Sequence, residues 1–250
     1  MKTLAEKLAQ GLAELRLDLS AEQQIKLLDY LALMAKWNAV YNLTAIRDPQ
    51  AMLVQHLLDS LAIVTELQRA LAERGSLTPD PSDGTTSHST RRQSRQVAGY
   101  PGGRGEQQIR LLDVGSGGGL PGIPVAIAMP QVQVTLIDPV HKKTAFLTQA
   151  KAAVRLDNLR VLTGKAEEVE TEQRFDVITS RAFSSLAEFV QLAQHLLAPE
   201  GFFAAMKGVT PEEEISQLSA QSAPFHAYRV IPLRVPGLDA ERCLVLIRKK

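Results

Sequence analysis

Leu111-Leu112-Asp113-Val114-Gly115-Ser116-Gly117-Gly118-Gly119-Leu120-Pro121-Gly122-Ile123-Pro124 decides the fold of this chain. The run predicts a buried strand, a glycine turn and the first turn of a helix, with an acidic residue just ahead of the first glycine. Glycines let the backbone curl tightly and approach a ligand where a Cβ would collide. The helix that follows aims free N–H groups at the crevice above the strand. A nucleotide-like cofactor is therefore expected at the carboxyl end of this first strand.

Strands and helices alternate from Ile109 onward, which predicts a parallel sheet with helices on both faces. The second strand is Val132-Gln133-Val134-Thr135-Leu136-Ile137, ending in Asp138. A third, Leu159 to Leu162, leads into Lys165-Ala166-Glu167. Phe175 to Ser180 and Phe202 to Lys207 read as the fourth and fifth. The tail departs from this alternation, with Tyr228 to Leu233 and Leu244 to Ile247 flanking the turn-rich Pro236-Gly237-Leu238-Asp239. That predicts a C-terminal antiparallel hairpin, the ending of class I methyltransferases and not of dehydrogenases.

Gly117, Gly119 and Gly122 also satisfy G-x-G-x-x-G, so a dinucleotide fold must be weighed. A stretch this rich in glycine meets that spacing in several ways, and the match is weak by itself. S-adenosylmethionine is favoured by three features. Asp113 suits the cationic methionine end of that cofactor better than a pyrophosphate. Asp138 is placed to accept from both ribose hydroxyls, although dehydrogenases use the same device. Lys165-Ala166-Glu167 stands where an adenine edge would be held.

Before the sheet, residues 1–72 read as a helical subdomain. Leu4, Leu8, Leu12 and Leu15 recur at helical spacing, Ser20 with Gln23 forms a capping box, and Asp48-Pro49 opens a further helix. Ile25, Leu28, Leu31, Met34 and Ala35 are expected to form a core face. Residues 73–108 lose their large apolar side chains in favour of Gly, Ser, Thr, Pro, Gln and Arg, and read as a flexible low-complexity insertion. The remainder, 109–250, is the cofactor-binding domain. Apolar residues make up 45% and charged residues 22% of the chain, with a net charge of +1, ordinary values for a soluble globular protein. Charges in the first residues leave no place for a signal peptide, and the apolar runs are too short to span a membrane. Cys243 is the single cysteine, which excludes an internal disulfide and a cysteine-rich metal site. A cytoplasmic, metal-free monomer is expected.

Several blocks together resemble one family. They are Lys36-Trp37-Asn38 with Tyr41-Asn42-Leu43-Thr44, His56 with Leu58-Asp59-Ser60, Asp113 through Pro124, Ser180-Arg181-Ala182-Phe183, Lys207-Gly208, and Leu238-Asp239 with Glu241-Arg242. In order and spacing they resemble the bacterial small-subunit ribosomal RNA guanine-N7 methyltransferases, the RsmG or GidB family (glucose-inhibited division protein B). The resemblance implies methyl transfer from S-adenosylmethionine to N7 of one guanine of 16S ribosomal RNA near the decoding centre, with the small ribosomal subunit as partner. It implies that Gly115 and Leu120 contact the cofactor, that Ala166-Glu167 hold its adenine side, and that Arg181 lies where cofactor and substrate meet. Lys165 and Cys243 depart from the pattern, standing where relatives often carry Arg and His.

The residues also constrain the methyl acceptor. An exocyclic amine acceptor goes with an Asp/Asn-Pro-Pro-aromatic turn after the fourth strand, where this chain has Ser180-Arg181-Ala182-Phe183. Pyrimidine carbon needs a cysteine nucleophile in that region, and Cys243 lies in the last strand instead. Guanine N7 offers its own lone pair and requires no general base, so in-line placement carries the reaction; such placement supplies roughly 7–11 kcal/mol. The expected roles follow. Asp113, Gly115, Gly117, Leu120, Asp138, Ala166 and Glu167 bind the cofactor, and Arg181 joins cofactor binding to catalysis. Lys165, Lys207 and Arg242 meet RNA. Phe183 reads equally as a base-stacking ring or a core aromatic, and His56 as a structural histidine or, with Asn38 and Asn42, a wall of the site. Other readings stay open: a different nucleic-acid, protein or small-molecule acceptor, an NAD-type oxidoreductase, or a non-catalytic ribosome assembly factor.

Overall fold

A computed structural model describes residues 2–76, 108–171, 173–181, 183 and 185–250. Five α-helices lead into the sheet: α1 (Leu4–Leu15), α2 (Ala21–Tyr41), α3 (Pro49–Met52), α4 (Asp59–Leu61) and α5 (Val64–Ser76). The start signals act as expected. Ser20 and Gln23 cap α2 reciprocally, and the Asp48 carboxylate accepts from Ala51 N at 2.7 Å to open α3. Between α3 and α4 the stretch Leu53–Leu58 winds as a π-helix, a form that recurs at functional sites.

The strands are β1 (Arg110–Val114), β2 (Gln133–Asp138), β3 (Leu159–Thr163), β4 (Phe175–Ser180), β5 (Leu197–Lys207), β6 (Phe225–Leu233) and β7 (Arg242–Lys249). They form one sheet in the order β3-β2-β1-β4-β5-β7-β6. β1 to β5 run parallel, and β7 enters antiparallel between β5 and β6. This is the class I methyltransferase sheet with its C-terminal hairpin. The chain moves to one side of β1 for β2 and β3 and to the other for β4 and β5, so the connections diverge above the β1 and β4 ends and open a crevice there. The helices between and after the strands are α6 (Gly122–Ala128), α7 (His141–Ala153), α8 (Leu186–Ala193) and α9 (Glu212–Gln221).

The N-terminal helices do not carry a core of their own. Leu8, Leu27, Tyr30, Met34, Leu53 and Leu57 belong to the same buried cluster as Leu111, Ile123, Leu136, Phe146 and Leu246 of the sheet layer. The apolar face of α2 differs from the expected stripe. Leu27, Tyr30, Leu31, Met34 and Asn38 are buried, whereas Ile25 is 58% exposed. The reason is that α2 lies on α6 and α7, and that contact selects a face rotated from the one the apolar residues suggest. α5 also continues past the expected boundary at 72 to Ser76. Ion pairs hold its last turn: Glu73 with Arg229 of β6 at 3.0 Å, and Arg74 with Asp176 of β4. Most of the expected insertion, including Arg91, Arg92, Arg95 and Arg104, lies outside the described residues.

Candidate functional site

The turn after β1 is a braced cradle. Gly115 N donates to Ile137 O at 2.9 Å, and Gly119 and Leu120 both return to Ser116 O. Gly117, at φ +57, occupies the left-handed region that favours glycine. Its N–H donates to Asp138 Oδ2 at 2.9 Å. Where a Cβ of Gly117 would stand, the nearest atom beyond its neighbours is Gly115 O at 3.9 Å; the turn therefore leaves open space on the crevice side. Gly122 is the crowded counterpart. A Cβ there would lie 2.2 Å from Leu136 Cδ2 and 2.8 Å from Asp113 Oδ2.

The two acidic residues at the strand ends are both buried. Asp138 accepts from Gly117 N and, through Oδ1, from Val140 N at 2.9 Å, with Lys143 Nζ at 3.5 Å. Oδ1, with a single donor, retains a further lone pair, whereas Oδ2 meets both Gly117 N and Lys143. Asp113 takes a different place from the one expected. It is 1% exposed, beneath the turn, and its Oδ2 accepts from Gly122 N at 3.0 Å. Burial raises its pKa from 3.8 to about 7, opposed by the Gly122 N–H. A carboxylate so enclosed shapes the turn and does not present its charge to the crevice.

The N-terminal helices close the crevice. Tyr30 of α2, fully buried, donates its hydroxyl to Gly118 O at 2.5 Å, and Met34 stands against Gly118. Asn38 ties down the loop after α2: Nδ2 donates to Ile46 O at 3.0 Å and Oδ1 accepts from Thr44 N at 2.9 Å. Asn42 caps α2 in the left-handed conformation and accepts from Arg47. The Thr44 hydroxyl lies 2.8 Å from His56 Nε2, while His56 Nδ1 faces the Gln55 carbonyl at 3.1 Å. A carbonyl only accepts, so Nδ1 carries the proton and Nε2 accepts from Thr44. Burial, then the Arg181 charge, lower the His56 pKa to about 4. At neutral pH this imidazole is an uncharged wall.

Arg181, just past β4, reaches back to the π-helical turn. Its Nη1 donates to Asp59 Oδ2 at 3.0 Å and to Gln55 O at 3.2 Å. Arg242, opening β7, donates Nε to Asp59 Oδ1 at 3.0 Å. Ser180 Oγ anchors the β4 end on Val114 O at 2.7 Å. These residues separate two adjoining cavities. The inner one, about 200 Å³, lies over Gly115–Gly118 with Met34, Thr44 and Leu120. The outer one, about 370 Å³, is lined by Gln55, Asp59, Met206, Lys207, Gly208 and Arg242. His56 and Arg181 belong to both.

The remaining expected residues divide. Ala166 is buried at the start of a short 3-10 turn after β3, with Glu167 exposed beside it. Lys165 is exposed and pairs with Glu168 at 3.5 Å. Lys207, the expected phosphate contact, lines the outer cavity and is also tied into the fold. Its side chain is 11% exposed, and its ammonium donates to Glu214 Oε2 at 2.6 Å and to Phe183 O at 3.0 Å, bracing the segment after β4 against α9. Phe183 stacks on Phe189 at 5.2 Å and packs against the core. Cys243 is buried, its Sγ directed to Val209 O. Tyr30, Gln55 and Asp59 line or brace the site without standing out in the sequence; the signal for Asp59 is its presence in the Leu58-Asp59-Ser60 block. Among the described residues no group of three or more His, Cys, Asp or Glu is placed to hold a metal ion, and no helix is long and apolar enough to cross a membrane.

The family model for rRNA small subunit methyltransferase G matches residues 23–74 and 100–245. The chain belongs to this family. Residues 75–99, the greater part of the expected insertion, fall outside the match. Ribosomal RNA small subunit methyltransferase G of Methylibium petroleiphilum is 45% identical over 249 residues, covering 100% of this chain and 96% of the relative. The protein of the same name from Burkholderia cenocepacia strain J2315 is 48% identical over 96% of this chain and 90% of its own. Among solved structures, the glycopeptide N-methyltransferase MtfA, complexed with S-adenosyl-L-methionine, aligns with a TM-score of 0.49 at 12% identity. That alignment covers 57% of this chain and 82% of the MtfA chain.

Proposed function

We propose that this protein transfers a methyl group from S-adenosylmethionine to N7 of one guanine in 16S ribosomal RNA, working as a cytoplasmic monomer on the small ribosomal subunit. The observation that carries the reading is the pair of cavities divided by Arg181 and His56. One lies on the glycine turn and the other opens beside Arg242, so two reactants would meet across a common wall. The residues of the inner cavity fit the cofactor through the open space at Gly117; the Asp138 carboxylate braces that glycine from the β2 end, and the Ala166 turn follows β3, both outside the cavity lining. When bound, that cofactor supplies a methyl group on a positively charged sulfur.

The chain's own residues have three tasks. The turn, braced by Asp113, Asp138 and Tyr30, holds the cofactor side in one geometry. Arg181, fixed by Asp59 and the Gln55 carbonyl, lies between the cavities and orients the acceptor. His56, neutral and hydrogen-bonded to Thr44, shapes the wall without exchanging a proton. The acceptor nitrogen carries a free lone pair, so orientation accounts for the rate, on the scale of about 7–11 kcal/mol for well-placed reactants. Lys165, Lys207 and Arg242 remain the candidate phosphate contacts, the last two on the outer cavity.

The test is methyl transfer from labelled S-adenosylmethionine to small subunits from a strain lacking the endogenous enzyme, with the modified base mapped. Label on N7 of a single guanine supports the proposal. Label on another base or on protein refutes the acceptor, and binding of the cofactor without transfer favours an assembly factor.

A further inference from the structure

The guanidinium groups of Arg181 and Arg242 come from strands that are not neighbours. β5 stands between β4 and β7 in the sheet, so the two arginines share no direct backbone ladder. What they share is the carboxylate of Asp59, each oxygen accepting from one of them at 3.0 Å. Asp59 is 3% exposed, and the two arginine side chains are 27% and 26% exposed. Two guanidinium groups at this spacing repel, and a carboxylate between them offsets that repulsion. It also leaves one net positive charge among the three, at the wall of the outer cavity. The π-helical turn just before Asp59 contributes the Gln55 carbonyl as a second acceptor for Arg181.

We infer that Asp59 is a positioning residue that sets Arg181 and Arg242 as one unit for the RNA acceptor. The inference deepens the proposed methyl transfer and rests on it. Asp59 stands at the wall of the outer cavity with both carboxylate oxygens engaged by the two arginines, and it acts through them. Removing its charge lets the arginines part, and the cost falls on engagement of the anionic RNA.

The experiment compares Asp59→Asn, Arg242→Gln and the double variant in methyl transfer to small ribosomal subunits, with melting temperature as the control for folding. Asp59→Asn is expected to lower kcat/KM for the RNA by roughly a hundredfold, the scale of a misplacement of about 1 Å at a reacting group. The KM for RNA rises while the KM for S-adenosylmethionine stays close to wild type. The double variant loses no more than the worse single variant, because both changes break the same unit. Multiplying losses, wild-type activity in Asp59→Asn, or a rise confined to the cofactor KM would each overturn the inference. If Asp59→Asn does not fold, Arg242→Lys reads the same coupling. Lysine keeps the charge but lacks the Nε–H that Asp59 accepts, so a raised RNA KM supports the inference and an unchanged one overturns it. A wild-type protein that methylates no RNA refutes the underlying activity instead, which separates the two failures.

Discussion

Tyr30→Phe removes one oxygen from the contact between the N-terminal helices and the glycine turn. The ring is fully buried and packs on Phe146 with centroids 6.4 Å apart. Phenylalanine keeps that packing, so the change isolates the hydroxyl. Its hydrogen bond to Gly118 O is short, at 2.5 Å, and the carbonyl it serves belongs to the turn that would cradle the cofactor. Leaving a buried acceptor without its donor costs about 1–3 kcal/mol, and the half-buried Gly118 carbonyl falls toward the lower part of that range. For a chain of this size, a cost of about 1.5 kcal/mol lowers the melting temperature by roughly 3–6 °C. The turn recovers part of that loss by shifting its carbonyl toward water, and binding must then restore the original geometry. Affinity for S-adenosylmethionine therefore weakens by up to about tenfold, the equivalent of about 1.4 kcal/mol. Thermal unfolding by circular dichroism and titration calorimetry with the cofactor measure the two effects. Tyr30→Ala, which also deletes the ring, adds about 3–5 kcal/mol and separates packing from hydrogen bonding. An unchanged melting temperature together with an unchanged dissociation constant in Tyr30→Phe would refute the claim that α2 holds the turn.

Gly122→Ala puts a methyl 2.8 Å from an Asp113 oxygen that is already bonded to the Gly122 N–H; a destabilisation of about 1–3 kcal/mol is expected from this overpacking, read in a urea titration. Arg181→Ala should keep the fold, since the side chain is partly exposed and Asp59 retains Arg242, while methyl transfer falls by at least about a hundredfold; turnover at the wild-type rate would remove Arg181 from the mechanism. Two buried groups give opposite pH dependences of stability. His56, lowered from 6.5 to about 4, costs stability as pH falls through that window. Asp113, raised from 3.8 to about 7, costs stability as pH rises through nearly the same window. Stability therefore falls with rising pH between about 4 and 7 in His56→Gln and rises in Asp113→Asn, with a flatter profile in the wild type; parallel profiles in both variants would contradict these burials.

Local signals in the chain determined the sheet and the glycine turn. β4 was legible residue for residue, because Phe175, Val177 and Ile178 bring apolar side chains between polar segments; β1, β2 and β3 differed from expectation by a residue at their ends, whereas β5 begins at Leu197 and not at the expected Phe202. The Ser20 and Asp48 caps were equally legible, since capping depends on side chains within three residues of the backbone they serve. The glycine turn was readable because φ values of the kind seen at Gly117 and Gly119 favour one residue type. What lies around that turn was decided by tertiary contacts. The buried face of α2 depends on where α6 and α7 stand, and no periodicity within α2 encodes that. Lys207 looks in sequence like a cation ending a strand, yet its partner Glu214 comes from the helix packed beside it. Asp113 reads as a ligand carboxylate until the packing of Gly122 and Leu136 encloses it. The meeting of Asp59, Arg181 and Arg242 spans residues separated by up to 183 positions. Side-chain charges so far apart in the chain acquire a joint role when the π-helical turn, β4 and β7 converge at one end of the sheet.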